Sequence, residues 1–211
     1  MANKLLALIS NKIKQSNDEN AKALIEEASK DFQIVKKISR EYESYTRHLP
    51  RHMPALPPDQ ITNIEEELKL VNNWKRYINW EKKNPLKLKS DDLVKKRVMF
   101  AYEQSFSCLG YHCDIWHEAA CFLYNFYRNK PNAEQLQKEA EHEASYLYER
   151  AINTYMRNNL LIHLVYSDFE EIRGCYQKCY EIYEKCLQNV NIDATLTWIH
   201  YIRLVYKRIF I

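Results

Sequence analysis

Trp74-x-x-Tyr77-x-x-Trp80-Glu81 sets three aromatic side chains at i, i+3 and i+6, a spacing that lines one stripe of an α-helix. The frame returns as Trp116-x-x-Ala119-x-x-Phe122, His163-x-x-Tyr166-x-x-Phe169-Glu170 and Trp198-x-x-Tyr201-x-x-Leu204, with starts 42, 47 and 35 residues apart. A second pattern alternates with it: Phe100-Ala101-Tyr102-Glu103-Gln104, Leu147-Tyr148-Glu149-Arg150-Ala151 and Ile182-Tyr183-Glu184-Lys185-Cys186, with Glu41-Tyr42-Glu43 as a weaker upstream copy. With the ring-bearing helix named A and the Tyr-Glu helix named B, the chain runs B-A-B-A-B-A-B-A. One hairpin of A and B cannot bury both its faces, but stacked hairpins cover each other. The pattern therefore predicts an all-α solenoid of antiparallel helical hairpins, about four of them. Its packing residues are Trp74, Tyr77, Trp80, Tyr102, Trp116, Phe122, Tyr148, Tyr166, Phe169, Tyr183, Trp198 and Tyr201, and His163 takes a tryptophan slot as a packed histidine.

Composition agrees with helices. Only two glycines, Gly110 and Gly174, occur in 211 residues, which disfavours tight β-hairpins and glycine-rich phosphate loops. Thirty-one basic residues face 28 acidic ones, a balance that does not by itself point to nucleic acid. No apolar run approaches the roughly 20 residues that span a bilayer, so no membrane is expected. Leu5–Ile9 is too short for a signal peptide, so the six cysteines are expected to be reduced thiols of an intracellular protein.

Boundary signals segment the chain as one array over 1–211. Thr62-x-x-Glu65 has the form of a capping box, and Asn84-Pro85 closes that helix. Ser90, Asp114 and Asp193 are the expected N-caps of the next B helix and of the Trp116 and Trp198 helices. Residues 47–61, with Pro50, Pro54, Pro57 and Pro58, form a proline-rich connection, and 193–211 is an incomplete final repeat. Its Trp198, Tyr201, Ile202 and Val205 would present an exposed apolar face prone to self-association.

Chemistry finds little support. Cys113, His117 and Cys121 share a helix face, but a structural zinc site needs four ligands and no fourth is marked. Cys175, Cys179 and Cys186 read as packing residues. Glu170 and Glu171, with Arg173 nearby, read as a solvated face. No catalytic motif or cofactor loop is present, so no enzyme, cofactor or metal is expected. The one charge feature is Lys82, Lys83, Lys87, Lys89, Lys95, Lys96 and Arg97 against Asp91 and Asp92, a candidate contact for RNA phosphates or an acidic partner. A smaller cluster, Arg47, His48, Arg51 and His52, flanks the proline stretch.

The A and B frames resemble the half-a-TPR (HAT) repeat of RNA-processing proteins. Asn73–Leu86, Lys96–Gln104 and Leu109–Ala120 are similar, in order and spacing, to the Suppressor-of-forked family, the HAT-repeat subunits of cleavage stimulation factor. Tyr148–Ile152, Tyr166–Glu171 and Ile192–Leu196 continue the match, which covers roughly residues 20 to 203. The resemblance implies a nuclear, non-catalytic scaffold of pre-mRNA 3′-end cleavage and polyadenylation. Its implied partners are other cleavage stimulation factor subunits, the cleavage and polyadenylation specificity factor, and mRNA, directly or indirectly. Family members carry further repeats on both sides and a proline-rich C-terminal region, so the chain is expected to be a fragment. The family's homodimer is built by later repeats, which this chain would lack. The first A helix, around Lys4–Ile13, has no aromatic stripe. The alternatives are a HAT scaffold or RNA-binding protein of the spliceosome or of ribosome biogenesis.

Overall fold

The computed structural model describes residues 19–128 and 130–210; the Lys4–Ile13 segment lies outside them. Among the described residues there are helices and no strands: α1 (Glu19–Thr46), a short 3-10 turn (Pro58–Gln60), α2 (Ile64–Lys82), α3 (Asp91–Leu109), α4 (Cys113–Phe126), α5 (Glu134–Asn153), α6 (Leu160–Ile172), α7 (Tyr176–Gln188) and α8 (Ala194–Phe210). Helices α2, α4, α6 and α8 carry the A frame, and α1, α3, α5 and α7 the B frame. The chain divides into two compact units, Met1–Leu49 with Pro85–Lys87, and Pro50–Asn84 with Leu88–Ile211. The first boundary falls inside the proline-rich connection. In the first unit, α1 buries none of the side chains described for residues 26–46.

In the second unit each helix from α2 to α8 packs on the next, and α4 also reaches α6. Contact of each repeat with its neighbouring repeats alone is the signature of an α-solenoid. The B tyrosine meets the rings of the following A helix each time. Tyr102 lies 6.3 Å from Phe122, Tyr148 lies 5.4 Å from Tyr166 and 5.3 Å from Phe169, and Tyr183 lies 5.3 Å from Tyr201. Such pairs add about 0.5–1.5 kcal/mol each beyond the area they bury. Trp74, Tyr77, Trp80, Trp116, Tyr148, Tyr166, Phe169 and Tyr183 are buried, as is Tyr102. Phe122 and Tyr201 are partly covered.

Local chemistry sets the ends. The cap of α2 is Asn63, one residue after the expected Thr62. The Asn63 Oδ1 accepts the amides of Glu65 (3.1 Å) and Glu66 (3.2 Å), because its backbone is extended and its short side chain reaches back to the first turn. Beyond α2, Asn84 takes φ 50° and clamps the loop by exchanging hydrogen bonds with the backbone of Leu88, both 2.9 Å. Asparagine tolerates this left-handed conformation. Ser90 precedes α3 but makes no capping bond; Asp91 and Asp92 face the helix dipole instead.

The helix of Trp116 starts earlier than expected, at Cys113, with His112 at the cap position. Asp114 is drawn into its first turn, where it pairs with Lys75 at 2.6 Å. Asp193 does cap α8, its carboxylate accepting the Leu196 amide at 3.0 Å. Gly110 permits a close approach: a Cβ there would sit 2.6 Å from the Tyr155 ring, and its carbonyl accepts the Trp116 indole N–H at 2.9 Å.

Candidate interaction surface

The repeats are tied together by charge as well as by rings. Between A helices, Lys75 of α2 bridges Asp114 and Glu118 of α4, at 2.6 and 2.7 Å. Arg203 of α8 meets Asp168 of α6 at 3.0 Å, and Lys207 meets Glu171. Between B helices, Lys95 and Glu103 of α3 pair with Glu143 and Arg150 of α5 at 2.9 Å, and Lys178 of α7 pairs with Glu149 at 3.3 Å. Each pair joins a helix to its counterpart one repeat on. Exposed pairs contribute little singly, about 0–1 kcal/mol, but they dictate which surface charges stay available to a partner.

Two carboxylates are fully withdrawn from water. Glu81 is 3 % exposed; the Tyr77 hydroxyl donates to it at 3.1 Å, and Arg97 donates to both its oxygens at 2.7–3.1 Å. Glu170 is 1 % exposed; Arg173 grips it at 2.7 and 2.9 Å, and the Ser145 hydroxyl also donates to it. Since Ser145 spends its proton on Glu170, the Tyr166 hydroxyl donates to Ser145 Oγ at 3.1 Å. A buried charge survives only when paired and hydrogen-bonded. This corrects the solvated-face reading for Glu170. Glu171, a neighbour on the helix, is only partly exposed and engages Lys207. The missed signal was recurrence: glutamate follows the third ring in two frames, four residues after a tyrosine in each.

The seven cations of the Lys82–Arg97 loop do not act alike. Lys82 is partly buried, its ammonium 5.3 Å from the Tyr102 ring and 5.7 Å from that of Phe122. Burial lowers its pKa, partly opposed by Glu118. Lys95 holds Glu143, Lys96 holds Asp92 at 2.7 Å, and Arg97 holds Glu81. Lys83 and Lys89 are exposed and make no ion pair among the described residues. Lys87, also exposed, belongs to the first unit.

Cysteine and histidine sit in a packed frame. His163 is 5 % exposed and donates from Nδ1 to the Asn159 carbonyl at 2.8 Å. Cys121 lies 3.5 Å from His117 Nε2, and His117 Nδ1 lies 2.7 Å from the Tyr148 hydroxyl. This pair does not make an activated nucleophile, because burial pushes the Cys121 thiol up, away from the thiolate. Cys108, Cys113, Cys179 and Cys186 are likewise pushed up to about 11 by burial. Among the described residues no group of three or more His, Cys, Asp or Glu is placed to hold a metal ion, and no helix is long and apolar enough to cross a membrane.

In α8, Tyr201 and Val205 are partly covered, Tyr201 by its stack on Tyr183. The exposed stripe of α8 is instead Trp198, Ile199, Ile202, Tyr206 and Ile209.

Over 86 % of its length the chain is 34 % identical to the Drosophila melanogaster protein suppressor of forked, of which it spans 28 %. It is 26 % identical, over 89 % of its length, to cleavage stimulation factor subunit 77 of Arabidopsis thaliana, spanning 23 % of that protein. Over half its length it is 38 % identical to the mRNA 3′-end-processing protein rna14 of Emericella nidulans, spanning 10 % of that relative. The chain thus spans about a quarter or less of these relatives' length. The family model for Suppressor of forked protein (Suf) matches residues 13–209, and with the alternating A and B helices in place the chain belongs to that family.

Proposed function

We propose that this chain is a non-catalytic scaffold segment of the pre-mRNA 3′-end cleavage and polyadenylation machinery in the nucleus. The observation that carries the reading is the family match over residues 13–209, laid on a helix stack in which rings and ion pairs recur from repeat to repeat. The interior is spent on packing: its cysteines are disfavoured as thiolates and its two most buried carboxylates are neutralised by arginine. What the fold offers is surface, and its partners on this reading are other cleavage stimulation factor subunits and the cleavage and polyadenylation specificity factor. Affinity capture from nuclear extract with the full chain as bait, read by mass spectrometry, tests it. Recovery of polyadenylation factors is expected; recovery of splicing or nucleolar proteins alone overturns it.

A second reading, direct RNA contact, is supported by the exposed Lys83 and Lys89. Binding of single-stranded RNA that weakens with salt and is lost in Lys83→Glu, Lys89→Glu would establish it. Binding unaffected by the double substitution would remove the loop from consideration.

A further inference from the structure

We propose that the cleft between the start of α3, the α4–α5 connection and α5 docks a peptide segment of a partner, one that carries an apolar side chain next to a lysine or arginine. The inference rests on the scaffold reading and names what one of its surfaces holds. The cleft encloses about 590 Å³, within the roughly 300–1,000 Å³ of ligand pockets. It lies wholly inside the second unit, and further helices of the array precede and follow the elements that wall it.

One long connection builds the wall. Residues 127–133 join α4 to α5, whereas 173–175 suffice between α6 and α7. In the longer connection Asn132 takes φ 57°, and Lys130 reaches Asp91 at the start of α3, at 2.8 Å. The apolar lining comes from Met99, Pro131, Ala133 and Leu136, and Leu136 is 46 % exposed. The Lys95–Glu143 and Glu103–Arg150 pairs fix the register of α3 on α5. Between them stand Phe100 and Tyr146, 61 % and 62 % exposed, each two residues before the B tyrosine of its helix. They extend the apolar surface beyond the cleft.

Two polar groups of the lining have unspent capacity. Tyr127 is 4 % exposed, with the Lys95 ammonium 5.7 Å and the Lys130 ammonium 5.3 Å from its ring. Its hydroxyl makes no hydrogen bond among the described residues. Burial raises its pKa, partly opposed by Lys95, so it stays a donor, suited to a peptide carbonyl. The second group is Glu139. Lys95, Lys96 and Lys130 are spent on Glu143, Asp92 and Asp91. Glu139 is exposed and accepts from Gln135 at 3.1 Å, but it meets no cation among the described residues, and its chain neighbour Lys138 lies outside the lining. The charge left over is therefore negative. It attracts a basic side chain and repels phosphate, which favours a peptide over RNA.

Selection of a random displayed-peptide library on the full chain, followed by titration calorimetry of the enriched peptides, tests it. Enriched peptides are expected to pair an aliphatic or aromatic residue with an adjacent lysine or arginine. Tyr127→Phe keeps the ring and should weaken their binding about two- to tenfold through the lost hydroxyl. Glu139→Lys should weaken it about fivefold and remove its salt dependence, and Leu136→Glu should abolish it. Circular dichroism checks that the helices persist; if Leu136→Glu unfolds the chain, Leu136→Ala probes the same wall. No enrichment, or enrichment of acidic peptides, overturns the proposal. So does binding that survives all three substitutions, and so does a short oligouridylate that binds the wild type and is lost in Leu136→Glu, which would assign the cleft to RNA. The selection uses no polyadenylation factor, so its failure and that of the affinity capture are read separately.

Discussion

Trp116 and Trp198 occupy the same slot of the same frame, yet Trp116 is 2 % exposed and Trp198 50 %. Both touch a ring: Trp116 stacks face to face on Phe106 at 3.7 Å, and Trp198 lies 5.8 Å from Tyr201 on its own helix. The difference is the neighbour. Trp116 is held between the preceding B helix, through Phe106, and the following one, through Arg150. Helix α8 packs on α7 and reaches α6 through Arg203 and Lys207, and Trp198 lies outside both contacts. In a stack of repeats burial belongs to the interface rather than to the residue, so one motif can be core in the middle of the array and open surface at α8.

The sharpest test of that contrast is truncation. Trp116→Ala is expected to lower stability by about 3–5 kcal/mol, as for a large core aromatic, measured by urea denaturation. Trp198→Ala should cost about 1 kcal/mol or less. Equal losses would mean that Trp198 is buried in solution, a result that would itself support self-association if it depended on concentration.

The two buried carboxylates give a second, smaller contrast. Arg173 is 9 % exposed against Glu170, whereas Arg97 is 38 % exposed against Glu81. Removing Arg173 strands a charge with no water at hand, so Arg173→Ala should destabilise by about 3 kcal/mol or more. At Glu81 solvent can take part of the guanidinium's place, and Arg97→Ala should cost less, about 1–2 kcal/mol after that screening. Reversal of this order would show that water reaches Glu170 more easily than its burial allows.

The smallest effect concerns His163 in the slot that tryptophan fills elsewhere. Burial lowers its pKa below the ordinary 6.5, outweighing the hydrogen bond to the Asn159 carbonyl. The unfolded chain therefore binds the proton more readily. His163 contributes no pH dependence well above 6.5 and a progressive loss of stability as pH falls through and below it, levelling once the folded protein also protonates. His163→Phe should flatten that part of the stability profile, seen as a smaller drop in the thermal midpoint on acidification. An unchanged slope would place the titration elsewhere.

The aromatic frames of α2, α4, α6 and α8 were legible in the sequence because each is a property of one helix. Rings three residues apart share a face whatever the rest of the chain does. Glu170 was misread for the opposite reason: its neighbours Glu171 and Arg173 look like an exposed charge run. Its burial depends on Ser145, 25 residues away on another helix. The cations of the Lys82–Arg97 loop separate into different roles on the same ground. Density of charge in sequence gives no sign that Lys95 reaches Glu143, 48 residues on, or that Lys82 lies over two rings.

The sequence by itself determined the alternation of A and B helices, their number in the described stretch and the stripe each ring occupies, since helical periodicity is set by local backbone geometry. Only the tertiary structure decided which charges are spent between repeats, which carboxylates lose their water, and that Trp198 stands open where Trp116 is closed. Those outcomes rest on side chains brought together from distant positions, and a short-range pattern carries no record of what lies across the interface.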